Sequence, residues 1–70
     1  MRIILQKARK EKGLTQQQVA DTIGISLRYY KQIEAGQRTG DFEIWDSLED
    51  LLNVHQRVLR EKHHDKEDSP

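Results

Sequence analysis

Thr15-Gln16-Gln17-Gln18-Val19-Ala20-Asp21-Thr22-Ile23-Gly24-Ile25-Ser26-Leu27-Arg28-Tyr29-Tyr30-Lys31-Gln32-Ile33-Glu34-Ala35-Gly36 carries two helix-starting signals, each followed by a stop. Thr15 with Gln18 three residues later is a capping box: the hydroxyl accepts from a first-turn amide and the glutamine side chain reaches back to the cap. A helix is therefore predicted from Gln16, with Val19, Ala20 and Ile23 on its inward face. Gly24 ends it, because glycine takes positive φ without steric cost. Ser26 is a good N-cap and restarts a helix over Leu27 to Glu34, which stops at Ala35-Gly36. At about 100° per residue, Tyr30 and Ile33 share one side of this second helix, and Arg28, Lys31, Gln32 and Ala35 lie on the other. A connection as brief as Gly24-Ile25-Ser26 forces a sharp angle between the two helices. Ala20 must then be small where they cross, and Ile25 fills the elbow. Arg28, Lys31 and Gln32 are left facing outward.

On the N-terminal side, Ile4, Leu5 and Ala8 define one face of a helix over Ile3 to Lys12, with Gly13 at the C-cap position. On the C-terminal side, Gln37 to Gly40 reads as a polar loop. Asp41 caps a helix whose apolar stripe is Ile44, Trp45, Leu48, Leu51 and Leu52, and Asn53 is a left-handed stop. Val54, Val58 and Leu59 imply a short last helix from about His55 to Lys62. The expectation is an all-α, compact five-helix domain over residues 1–62, with the central helix pair at 16–35. Residues 63–70 lack a large apolar side chain and are expected to form a disordered polar tail.

Composition narrows the function classes. Seventy residues make at most one domain, and the chain has no cysteine, which excludes disulfides and thiolate metal sites and fits a reducing cytosol. No apolar run approaches a membrane span, and Met1-Arg2-Ile3-Ile4-Leu5 is too brief and too soon charged for a signal peptide. A cytoplasmic protein is expected, with no membrane partner. The formal net charge is zero, but it is segregated. Residues 1–38 hold eight Lys or Arg against three Asp or Glu, and residues 39–70 hold four against nine. Affinity for phosphate depends on charge at the contact surface, so such a polar molecule retains a basic face. Ser26, Ser47 and Ser69 sit in no nucleophile motif. His55, His63, His64 and Asp65 have no ligand spacing. Neither an enzyme, a metal site nor a cofactor is expected. Trp45 reads as core or dimer surface.

Gly13-Leu14-Thr15-Gln16, Val19-Ala20, Ile23-Gly24-Ile25-Ser26 and Ile33-Glu34-Ala35-Gly36 together resemble the phage-repressor and Cro type of helix-turn-helix, the Xre-like family. The resemblance covers roughly Leu5 to Leu59. It implies a lambda-repressor-like domain whose third helix lies in the major groove of double-stranded DNA. Carried over position by position, Ser26, Leu27, Arg28, Lys31 and Gln32 are the base-contacting candidates. Arg28 suits guanine O6 and N7, Gln32 suits adenine N6 and N7, and Leu27 suits a thymine methyl. Gln16 matches the family's phosphate-gripping glutamine. Thr15, Tyr29, Gln37, Arg38 and Thr39 border the same surface as further phosphate candidates. Arg9 and Glu34 match an arginine–glutamate pair that locks the recognition helix to its scaffold.

Three departures stand out. Tyr30 replaces the usual branched aliphatic and needs a hydroxyl partner if buried. Gly40 and Asp41 replace the usual Pro-Ser before the fourth helix. The loop after Gly36 holds a single basic residue, Arg38. The resemblance implies a sequence-specific transcriptional regulator, a repressor binding a palindromic operator as a homodimer. The dimer surface is expected around Trp45, Val58 and Leu59. The competing reading is a protein-interaction module or antitoxin-like protein, which binds a toxin or phage factor through the same fold.

Overall fold

The computed structural model describes residues 1–62. The tail expected over 63–70, with His63, His64 and Asp65, lies outside the described residues. The helices are α1 (Ile3–Glu11), α2 (Gln16–Ile23), α3 (Leu27–Ala35), α4 (Phe42–Leu52) and α5 (Gln56–Leu59), and no strand occurs among the described residues. The all-α, five-helix architecture read from the sequence is the one observed.

The local signals act as their chemistry dictates. Gln18 N–H donates to Thr15 Oγ1 at 3.0 Å, and Thr15 N–H donates to Gln18 Oε1 at 2.8 Å, closing the capping box. Tyr29 N–H donates to Ser26 Oγ at 3.1 Å at the start of α3. Ile44 N–H donates to Asp41 Oδ1 at 3.0 Å at the start of α4. Gly24 turns the chain at φ +82°, and the amides of Gly24 and Ile25 both donate to Ala20 O. That pairing ends α2 and leaves only Ile25 and Ser26 to cross to α3. Asn53, at φ 58°, stops α4.

One apolar core serves all five helices. Leu5 and Ala8 come from α1, Val19 and Ala20 from α2, Tyr30 and Ile33 from α3, Ile44, Trp45, Leu48 and Leu52 from α4, and Leu59 from α5. Ile25 packs against this core from the elbow. Two expectations need correction. Trp45 and Leu59 do not form a dimer surface, because each is sealed in the core of the chain, at 2% and 0% exposure. Val58 alone of that trio reaches the surface. The last helix is also shorter than the span from His55 to Lys62. His55 is its N-cap, accepting from Arg57 N–H through Nδ1 at 3.1 Å. Among the described residues beyond Leu59, Arg60 to Lys62, no side chain is buried to anchor another turn, and the Arg60 carbonyl instead accepts from Arg2.

Gly40 explains its own departure from the family pattern. At φ +79°, an added Cβ would stand 3.2 Å from Ile33 Cδ1 and 3.4 Å from Trp45 Nε1. The bare backbone lets the loop close on the indole, whose Nε1–H donates to Thr39 O at 2.6 Å. That bond satisfies the polar edge of a tryptophan that is otherwise enclosed.

Candidate nucleic-acid interface

The outward side of α3 is set by the side that is buried. Tyr30 and Ile33 are fully enclosed, so Arg28 and Lys31, about 100° to 200° away around the helix, are exposed. Leu27, Arg28, Lys31, Gln32, Ala35 and Gln37 line a single shallow groove. Four of the five base-contacting candidates share it. Among the described residues the side chains of Arg28, Lys31 and Gln32 make no hydrogen bond or ion pair within the protein. Ser26 is exposed but outside the groove lining, and its oxygen already accepts from Tyr29 N–H.

The phosphate candidates fall into two environments. Thr15 and Gln16 begin α2, but both side chains have internal tasks: Thr15 closes the capping box, and Gln16 Nε2–H donates to Glu34 Oε1 at 2.9 Å. Gln16, half-buried, retains a side-chain carbonyl oxygen without a hydrogen bond and a first-turn amide without an intrahelical acceptor, the kind of group that gives helix starts their affinity for anions. Gln37, Arg38 and Thr39 are exposed on the loop after α3. The loop backbone is firmly held: the amides of Gln37 and Arg38 donate to Gln32 O, while the carbonyls of Arg38 and Thr39 accept from Arg2 and Trp45. Tyr29 is half-buried beside the elbow and packs against the core.

Behind this face a buried carboxylate gathers four donors. Glu34, 3% exposed, accepts from Arg9 Nε at 2.8 Å, Arg9 Nη2 at 3.3 Å, Gln16 Nε2 at 2.9 Å and Tyr30 Oη at 2.7 Å. Arg9 Nη1 adds a bond to Leu14 O at 2.8 Å. The cluster joins α1, α2 and α3 through one carboxylate, which fixes α3 against its scaffold. Burial, and then the bond to Glu34, push the Tyr30 hydroxyl far above its ordinary range. Arg9 is held more firmly protonated by its bond to Glu34, an effect that outweighs the opposing effect of burial. Tyr30 and Glu34 are four apart on one helix, and that spacing was a legible sign that the tyrosine has a partner.

Arg2 is the residue that the sequence reading overlooked. It is 2% exposed, and its side chain donates to three backbone carbonyls: Nε to Arg60 O at 3.0 Å, and Nη1 to Ile33 O at 2.6 Å and Arg38 O at 2.9 Å. Its guanidinium lies over the Trp45 ring, 5.1 Å from the centroid. Burial, and then the charge of Arg60, make its protonated form harder to hold than usual. Nothing in the local pattern Met1-Arg2-Ile3 marks this role, because all three acceptors lie far along the chain.

Residues 5–58 match the helix-turn-helix family. The chain belongs to that family. Over 50 residues this helix-turn-helix chain is 40% identical to a Bacillus subtilis (strain 168) protein described as an uncharacterized HTH-type transcriptional regulator, YqaE. The aligned part is 71% of this chain and 43% of that relative, so the chain spans under half the relative's length. No solved structure gives a significant match. Within the matched stretch, α2 and α3 are joined by the turn at Gly24. Among the described residues no helix is long and apolar enough to cross a membrane.

Proposed function

We propose that this domain is a sequence-specific DNA-binding transcriptional regulator of the cytoplasm, a repressor that engages a palindromic operator as a homodimer and performs no catalysis. The observation that carries the reading is the groove face of α3. Arg28, Lys31 and Gln32 project there without internal partners, on a helix whose other side is locked by the core and by the Glu34 cluster. A rigid helix with free hydrogen-bonding side chains is what readout of base edges requires, because flexible readers would lose specificity to ordering entropy. Arg28 and Gln32 read bases, Leu27 contacts a thymine methyl, Lys31 reaches a base or phosphate, and Ser26 borders them. Gln16, Thr15, Tyr29, Gln37, Arg38 and Thr39 face the phosphates and set the register. The family and the relative, a transcriptional regulator by description, support the same role.

Selection from a random duplex library, followed by gel-shift titration, tests this. The expected result is a set of related half-sites about one helical turn apart, with affinity that falls steeply as salt rises. Arg28→Ala should cost about 1–3 kcal/mol and relax the choice at one base pair. One feature favours the protein-interaction reading, in which the fold serves a toxin or phage factor: the zero net charge, with acidic residues concentrated after position 38. Failure to select any sequence at any salt concentration would overturn our reading and favour that one.

A further inference from the structure

A second basic surface lies beyond α3. Arg2, Thr39, Arg57, Arg60 and Glu61 line a cleft between the loop after α3 and helix α5. Three arginines and one glutamate line it, Arg2 as a buried wall and Arg57, Arg60 and Glu61 as exposed ones. Arg57 and Arg60 are three residues apart, so they project from neighbouring positions of the same short helix end. Both are exposed, and among the described residues neither side chain makes a hydrogen bond or ion pair within the protein.

The two walls of the cleft are tied together from behind. Arg2 donates to Arg38 O on one wall and to Arg60 O on the other. Its charge contrasts with that of Arg9. Arg9 is matched by the Glu34 carboxylate, whereas the side-chain bonds of Arg2 all end on neutral carbonyls. The Arg2 charge is therefore not bonded to any carboxylate. Burial is the main reason its protonated form is harder to hold, and the nearby charge of Arg60 adds to it.

The cleft continues the interface already described. Gln37 lines the α3 groove and Thr39 lines the basic cleft, with the exposed Arg38 between them. We propose that this cleft is a phosphate site, in which Arg57 and Arg60 grip backbone phosphates of the flanking duplex and extend the DNA contact from α3 onto α5. The inference rests on the DNA-binding reading above. Planar guanidinium forks match phosphate oxygens two at a time, and a pre-tied cleft loses little freedom on binding. Such contacts carry no sequence information. They would supply the basic contacts that the loop after Gly36, with Arg38 alone, lacks. A purely structural account has Arg57 and Arg60 only neutralising the C-terminal end of α5.

The test is DNA affinity measured across a series of potassium chloride concentrations, on the selected operator and on a random-sequence duplex. Wild type, Arg57→Ala/Arg60→Ala and Arg57→Gln are compared, with Lys7→Ala on α1 as the exposed control and thermal melting to confirm folding. The double variant should lose about tenfold or more on both duplexes, and the slope of log affinity against log salt should shrink by about 2. Arg57→Gln should shrink it by about 1, and Lys7→Ala should leave it unchanged. Trimming the operator flanks should weaken wild type but not the double variant. Binding by wild type with an unaltered slope in both cleft variants overturns this inference alone. Absence of any binding by wild type overturns the DNA-binding reading and this inference with it.

Discussion

Tyr30 shows how one hydroxyl makes an unusual core residue tolerable. Its ring is fully buried, and its Oη–H donates to Glu34 Oε2 at 2.7 Å. Tyr30→Phe should cost about 1–3 kcal/mol, because the carboxylate loses a donor it has no room to replace. Chemical denaturation checks this. The same residue predicts an alkaline limb in stability. In the unfolded chain this tyrosine ionises around its ordinary 10.0, whereas in the native state it stays protonated well above that value. Above pH 10 the unfolded state therefore binds fewer protons, and stability falls as pH rises. Its contribution is complete below that pH. Thermal melts from pH 9 to 11 should show a steeper fall for wild type than for Tyr30→Phe. Arg2→Ala should cost about 2–4 kcal/mol, since it removes the side-chain donor of the Arg38 and Arg60 carbonyls, leaves Ile33 O with the Gly36 amide alone and uncovers Trp45. Glu34→Gln should cost about 3–5 kcal/mol, because it leaves the Arg9 charge buried and unmatched.

Helices α2 and α3 start on side-chain caps and end on glycines, so each is bounded by its own neighbours. Thr15→Ala should cost about 1 kcal/mol by opening the capping box, and hydrogen exchange should show faster opening of the first turn of α2. α5 has only Leu59 buried, and its end is held by Arg2 rather than by further helical turns. Its amides should exchange fastest of the five helices, and Arg2→Ala should speed them further. Between α3 and α4, Gly40→Ala combines a disfavoured φ with a contact of 3.2 Å to Ile33. It should destabilise by about 1–2 kcal/mol and shift the fluorescence of Trp45, whose indole closes on that loop.

The molecule as a whole is polar in its charge, with an excess of basic residues up to position 38 and of acidic residues after it. The cleft at α5 modifies that picture, since Arg57 and Arg60 come from the acidic half and meet Arg2 from the basic half. Raising salt should therefore weaken DNA binding more steeply than α3 and its loop alone would produce. The presence of five helices, the caps of α2, α3 and α4, the turn at Gly24 and the inward face of α3 were legible from sequence alone, whereas the extent of α5 was not. Thr15, Ser26, Asp41 and Asn53 each act on backbone within a few residues, and the spacing of Tyr30 and Ile33 reports which side of a helix is buried. The outward projection of Arg28 and Lys31 follows from that spacing too. Tertiary packing settled the rest. Arg2 meets Arg60 across nearly the full chain, Gln16 turns to Glu34, and Trp45 and Leu59 go into the core where a dimer surface had been expected. These outcomes depend on which distant groups remain unsatisfied once the helices meet. Local pattern reports the periodicity of one segment, whereas partner choice between segments is a property of the assembled whole.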